Sequence, residues 1–213
     1  MVVRKCSKFV GSKESGSITK ILKGNKGITI GDNQYPATIF TLWTESERNA
    51  IGVYTVEIDN TNLKNNEYYV NTDITYAFGS GKVTGTYGTA TAKNIADTKW
   101  TQKEIDDGDA PAGADTNTVK VEGLKTIKKR MIDNQCAGIL APSDWRVTKE
   151  QETGDAMDSG WKTWRGNVRT KCNSMQTAID NASDVAALET LFTYTTDSDG
   201  DTTRPLGEFP VKE

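Results

Sequence analysis

Three indoles and two guanidinium groups crowd the last third of the chain: Trp145, Trp161, Trp164, Arg165 and Arg169. Exposed indoles are the usual platform for stacking a sugar ring or anchoring a protein interface. Arg165 and Arg169 stand four apart, which puts them on one helix face and suits a carboxylate clamp. The clamp closes either inside the fold, on Asp144 or Asp158, or on a partner chain, and internal pairing is the simpler expectation. A competing reading makes Trp161 and Trp164 core residues of a helical pair, because Trp164 and Val168 continue a stripe of aliphatic residues. The five residues are the candidate partner-binding set, and no catalytic residue stands out.

Other patterns carry less chemistry. Asp197-Ser198-Asp199-Gly200-Asp201 places oxygens at the first, third and fifth positions of a calcium-type loop, with Glu208 at the twelfth. Such a loop needs Gly at the sixth position, where this chain has Thr202, so a plain turn is expected and no metal is assigned. Gly79-Ser80-Gly81-Lys82 resembles the end of a phosphate loop, but Tyr76 stands where the first Gly belongs and Val83 follows the Lys. A hairpin turn is the expectation there. The chain has no His, which removes the commonest general base, the commonest metal ligand and the usual partner of a catalytic Ser or Cys. Cys6, Cys136 and Cys172 are too few and too scattered for a disulfide framework or a metal knuckle, and Cys136 and Cys172, on apolar helix faces, read as small buried hydrophobes. Enzyme chemistry is therefore the least expected class, and no cofactor is implied.

Composition points the same way. Hydrophobic residues make up 35 % of 213 positions, and 19 are Gly, which suits turns and half-exposed sheet. Lys plus Arg at 26 against Asp plus Glu at 29 gives a net charge of −3, with no basic field for a phosphate backbone. Nucleic-acid binding is not expected. No apolar run reaches membrane-spanning length, and Arg4 and Lys5 are not followed by an apolar segment, so neither a membrane span nor a secretion signal is read.

The elements that must position the candidate site follow from periodicity. Ile28 and Ile30 alternate with polar neighbours, Gly31-Asp32-Asn33 marks a turn, and Ile39-Phe40-Thr41-Leu42-Trp43 continues as strand. Thr44 and Glu47 form a capping box for a short helix that stops at Gly52. Short strands over 53–58, 67–71, 74–78 and 82–87 suggest an antiparallel meander. The Asp-, Ala- and Gly-rich stretch at 90–118 reads as an exposed linker and domain boundary. Beyond it, Leu124, Ile127, Met131, Ile132, Cys136, Ile139 and Leu140 mark the buried side of a helix over 121–140, with Lys125, Lys128, Lys129 and Arg130 solvated. A loop runs from Asp144 to Asp158, pinned by Trp145. Trp161, Trp164, Val168, Cys172, Met175, Ile179 and Ala182 stripe a helix over 159–182, and a short helix covers 184–192. Leu206, Phe209 and Val211 anchor an extended tail. The fold class is α+β: an antiparallel β-rich module at 1–89, then a small α-helical module at 119–213.

Three ordered segments carry a family resemblance: Ile139-Leu140-Ala141-Pro142-Ser143-Asp144-Trp145, Trp161-Lys162-Thr163-Trp164-Arg165-Gly166-Asn167-Val168-Arg169, and Asp184-Val185-Ala186-Ala187-Leu188-Glu189-Thr190-Leu191. Together they resemble the C-terminal region of tailed-bacteriophage tail fibre assembly-like and related tail structural proteins. There, a Thr/Ser-Asp-Trp element precedes an aromatic-Arg, apolar-Arg helix and a short Leu-rich one. The N-terminal Thr44 to Gly52 helix and the closing Arg204-Pro205-Leu206-Gly207-Glu208-Phe209-Pro210 are compatible with it. Trp164 stands where Tyr is usual, and only Arg146 and Lys149 stand in for the Arg that usually follows Asp-Trp. The resemblance implies a non-enzymatic structural component of a phage virion, in the tail, baseplate or fibre-attachment region. It would be made in the host cytoplasm and join other tail or fibre proteins, as a homo-oligomer in a symmetric assembly. The alternatives are a tail fibre assembly chaperone and a host-glycan-binding receptor module.

Overall fold

The computed structural model describes residues 9–12, 18–22 and 26–212, and the chain divides between Thr91 and Ala92 into two units. Cys6 and the first eight residues lie outside the described residues. As expected from the sequence, the fold is α+β, with strands concentrated in the first unit and the long helices in the second.

The first unit holds β1 (Phe9–Ser12), β2 (Ile18–Leu22), β3 (Ile28–Ile30), β4 (Asn33–Tyr35), α1 (Ile39–Leu42), α2 (Glu45–Ala50), β5 (Val53–Asp59), β6 (Tyr69–Val70), β7 (Ile74–Gly79) and β8 (Lys82–Tyr87). β9 (Thr91–Ala92) spans the division. Five of these strands form a sheet in the order β2-β1-β5-β8-β7. Its pairs are antiparallel except β5 with β8, which run parallel with Val56 opposite Val83. That parallel pair departs from the expected meander, because the stretch at 60–73 carries the chain past the place that β8 fills. Gly79 to Lys82 is the expected hairpin turn: Ser80 and Gly81 take φ of 52° and 78°, the paired positive values such a turn requires. Gly31, at φ 57°, turns β3 into β4.

Ile39 to Leu42 is a helical turn rather than the expected strand. Pro36, Ala37 and Thr38 carbonyls accept the N–H groups of Ile39, Phe40 and Thr41, and the bend buries Ile39 and Phe40 against Leu22 and Val53. Tertiary burial outweighs local β propensity there. The capping box forms as expected, with the Thr44 N–H on the Glu47 carboxylate at 2.7 Å, and Gly52 follows α2 at φ 81°.

The second unit opens on β10 (Thr98–Lys99), α3 (Gln102–Asp106) and β11 (Val119–Val121), followed by α4 (Leu124–Leu140), α5 (Asp144–Thr153), α6 (Ser159–Asn181), α7 (Val185–Phe192), β12 (Thr195–Thr196) and β13 (Thr202–Thr203). Residues 92–118 of the stretch expected as an exposed linker are thus part of this unit, ordered by polar side chains. β10 pairs with β11, Thr101 and Glu104 build a second capping box, and the Asp115 carboxylate accepts the N–H groups of Asn117 and Thr118. Lys120 and the Thr101 cap hold the Glu104 carboxyl down to about 2.

Helix α4 starts at Leu124, not at 121. Its first N–H groups are taken by the preceding segment, Gly123 donating to Asp97 Oδ1 at 2.7 Å, Leu124 to Asn94 O and Lys125 to Ile95 O. Leu124, Lys128, Ile132, Cys136 and Leu140 form its buried ladder at steps of four. On that ladder Lys128, expected in solvent, is buried with its ammonium 4.5 Å from the Phe192 ring centre. Ile127, expected in the core, turns outward at 46 % exposure, and Met131 and Ile139 are half-buried. Opposite, α6 buries Val168, Cys172, Met175 and Ile179, four of the striped positions. Leu206 anchors the tail, donating its N–H to Leu191 O, whereas Val211 is exposed. Among the described residues no helix is long and apolar enough to cross a membrane.

Candidate functional site

Residues 144–153 are helical, where a loop was expected. A 3₁₀ turn at Ala141–Ser143 links α4 directly to α5, Asp144 sits in the first turn of α5, and Gly154 ends it at φ 76°. Asp144 favours that helix start through the backbone dipole, and the Gly supplies the left-handed stop. The sequence held both signals, together with the helix formers Lys149 to Glu152. Only residues 154–158 remain irregular. Trp145 therefore pins nothing: it stands on the first turn of α5 at 56 % exposure.

Arg165 locks this corner from inside. It is 3 % exposed and donates through Nη1 to Leu140 O at 2.9 Å and to Ser143 Oγ, and through Nη2 to Asp144 Oδ1 at 2.6 Å. Ser143, also buried, donates its hydroxyl to Leu140 O. One guanidinium thus ties the end of α4, the 3₁₀ turn and the start of α5 to α6. The internal clamp on Asp144 forms, and a partner-facing role for Arg165 is corrected, because the group is sealed from solvent. Asp158, the other clamp candidate, instead caps α6, accepting the N–H groups of Gly160 and Trp161. Arg169 is exposed one turn further along α6, so the two arginines do not act as one pair.

The indoles do come together, through a residue the periodicity left aside. The Arg146 guanidinium carbon lies 4.5 Å from the Trp145 ring centre and 4.4 Å from that of Trp161. Trp161 meets Trp164 edge-on at 5.5 Å, and the Lys212 ammonium lies 5.4 Å from Trp161. Trp164 is half-buried and donates Nε1–H to Pro210 O at 2.9 Å, tying down the tail. Of the three indoles only Trp145 is exposed, Trp161 being half-buried beneath Arg146. The pair of bare, adjacent ring faces that sugar stacking needs is not present. What the corner offers is one projecting indole beside one ordered cation, a combination suited to a protein contact.

Asp197 to Asp201 forms a turn between β12 and β13, in which Asp197 Oδ1 accepts the N–H groups of Asp199 and Asp201. Glu208 is engaged by the Tyr194 hydroxyl and by Arg204. Among the described residues no group of three His, Cys, Asp or Glu side chains is placed to hold a metal ion. Cys136 and Cys172 are both buried free thiols, and burial together with the neighbouring Cys136 thiol and Asp133 pushes Cys172 up to about 11. Such a thiol is a poor nucleophile at neutral pH. Comparison of the chain with protein-family models, with curated proteins and with solved structures returns no match.

Proposed function

We propose that this chain is a non-enzymatic structural component of a bacteriophage virion, in the tail, baseplate or fibre-attachment region, acting through protein–protein contacts. The observation that carries the reading is the α4–α5–α6 corner: Trp145 and Arg146 project from a frame that the buried Arg165 braces at three acceptors. A braced projecting anchor loses little side-chain freedom on docking, which favours a lasting contact. The ordered Asp-Trp, aromatic-Arg and Leu-rich segments supply the phage context, since they resemble tail proteins. Partners are other tail or fibre proteins and further copies of this chain, because symmetric repetition turns weak single contacts into a stable assembly.

Quantitative mass spectrometry of purified particles tests it. The expected result is a fixed copy number per particle, a multiple of the tail's rotational symmetry. Finding the chain in infected-cell lysate but never in particles overturns the reading in favour of a tail fibre assembly chaperone.

A further inference from the structure

Among the described residues Arg146 has ring contacts but no counter-charge. Its guanidinium carbon lies within 4.5 Å of two indole centres. Among the described residues its N–H groups meet no hydrogen-bond acceptor and no carboxylate at ion-pair distance. Of the acidic side chains close by in sequence, Asp144 pairs with Arg165, Asp158 caps the first turn of α6, Glu150 lies by Lys162 and Asp155 by Lys149, while Glu152 is exposed and makes no bond to Arg146. Ring contacts use the flat faces of a guanidinium, whereas its five N–H donors lie in the plane and stay available to a planar acceptor. The two indoles also restrict the side chain, so little freedom remains to be lost when an acceptor arrives.

We propose that Arg146 is a carboxylate receptor, and that its occupant is an Asp or Glu side chain of the neighbouring virion protein, with Trp145 covering the apolar surface beside that acid. The partner identity rests on the virion reading above; the carboxylate chemistry rests on the geometry alone. Charge complementarity selects the acid. A phosphate backbone calls for a line of cations, and among the described residues the rings of this corner hold only Arg146 and Lys212, in a chain of net charge −3.

The test titrates an acetylated hexaglutamate peptide, its hexaglutamine counterpart and inorganic phosphate into the full chain, reading the Arg146 Nε–H and the Trp145 and Trp161 indole N–H signals by NMR. Hexaglutamate is expected to move all three signals, with binding weakened as NaCl is raised, and hexaglutamine to leave them in place. Arg146→Met, whose stem still packs on the rings, is expected to bind hexaglutamate about tenfold more weakly with unchanged circular dichroism, and Arg146→Lys to fall between. Equal shifts with hexaglutamine, equal binding by Arg146→Met, or phosphate binding as tight as hexaglutamate overturns the proposal. If hexaglutamate binds but the chain is missing from particles, the receptor stands and the virion reading falls. If the chain is in particles and hexaglutamate does not bind, the receptor falls alone.

Discussion

Arg165→Met removes the brace at the centre of the candidate site while keeping most of its volume. The lost interactions are the bonds to Leu140 O, Ser143 Oγ and Asp144 Oδ1. Charged hydrogen bonds are each worth about 1.5–3 kcal/mol net when both partners stay buried. Two facts reduce the total. The Asp144 side chain is 62 % exposed and regains water, so its share is discounted as for a surface pair, and Ser143 still donates to Leu140 O at 2.8 Å. The net loss is about 3 kcal/mol. For a unit of about 120 residues, an unfolding entropy of about 2.1 cal/mol/K per residue turns that into a melting point lower by about 12 °C. Urea unfolding of the full chain, followed by tryptophan emission, reads the right unit, because Trp100, Trp145, Trp161 and Trp164 all belong to it. Asp144→Asn is the control and should cost about 1 kcal/mol or less. A stability for Arg165→Met within about 0.5 kcal/mol of the parent refutes the bracing argument, since surface substitutions alone reach that size.

Three further perturbations follow from the same geometry. Gly123→Ala drives a Cβ into the Ala96 carbonyl and to 2.7 Å from Asp97 N, whereas Gly138→Ala meets nothing within 4 Å on the open side of α4. Thermal unfolding should show the first destabilised by about 2 kcal/mol and the second stabilised by about 0.5–1 kcal/mol. Trp164→Phe deletes the bond to Pro210 O and should cost about 1 kcal/mol, with faster amide hydrogen exchange at Val211 and Lys212 than in the parent. Cys172, raised by burial, the Cys136 thiol and Asp133 from 9.0 to about 11, holds its proton more tightly folded than unfolded. Its contribution is therefore complete below pH 9 and disappears as the pH rises through about 11, and urea unfolding at pH 8, 9.5 and 11 should show Cys172→Ala losing less stability over that window than the parent.

Local signals with a mechanism were legible in the sequence. The period of Val168, Cys172, Met175 and Ile179 marked α6, Thr44 with Glu47 marked α2, and Asp184 marked the start of α7. What escaped depended on partners distant in sequence or on polar ordering. The stretch at 92–118 has few apolar residues, and counting them hid the Thr101–Glu104 box and the Asp115 turn that hold it. Lys128 shares a ladder with Leu124 and Ile132, but its charge points to solvent in the sequence, and only the distant Phe192 ring accounts for its burial. The parallel β5–β8 pair left no trace in local patterning, because strand order is set by long-range packing. At the site, the sequence singled out Trp145, Trp161 and Trp164 and the Arg165–Asp144 pair. It left Arg146 as no more than a stand-in for a family residue, because a lone Arg beside a Trp shows nothing of a second indole fifteen positions on.

Hydroxyl-radical footprinting of Trp145, in the free chain and in purified particles, tests the central claim most directly. Heavy oxidation of this 56 % exposed indole is expected in the free chain and strong protection in the particle, with Trp43 of the other unit as internal reference. Equal oxidation of Trp145 in both states would contradict it.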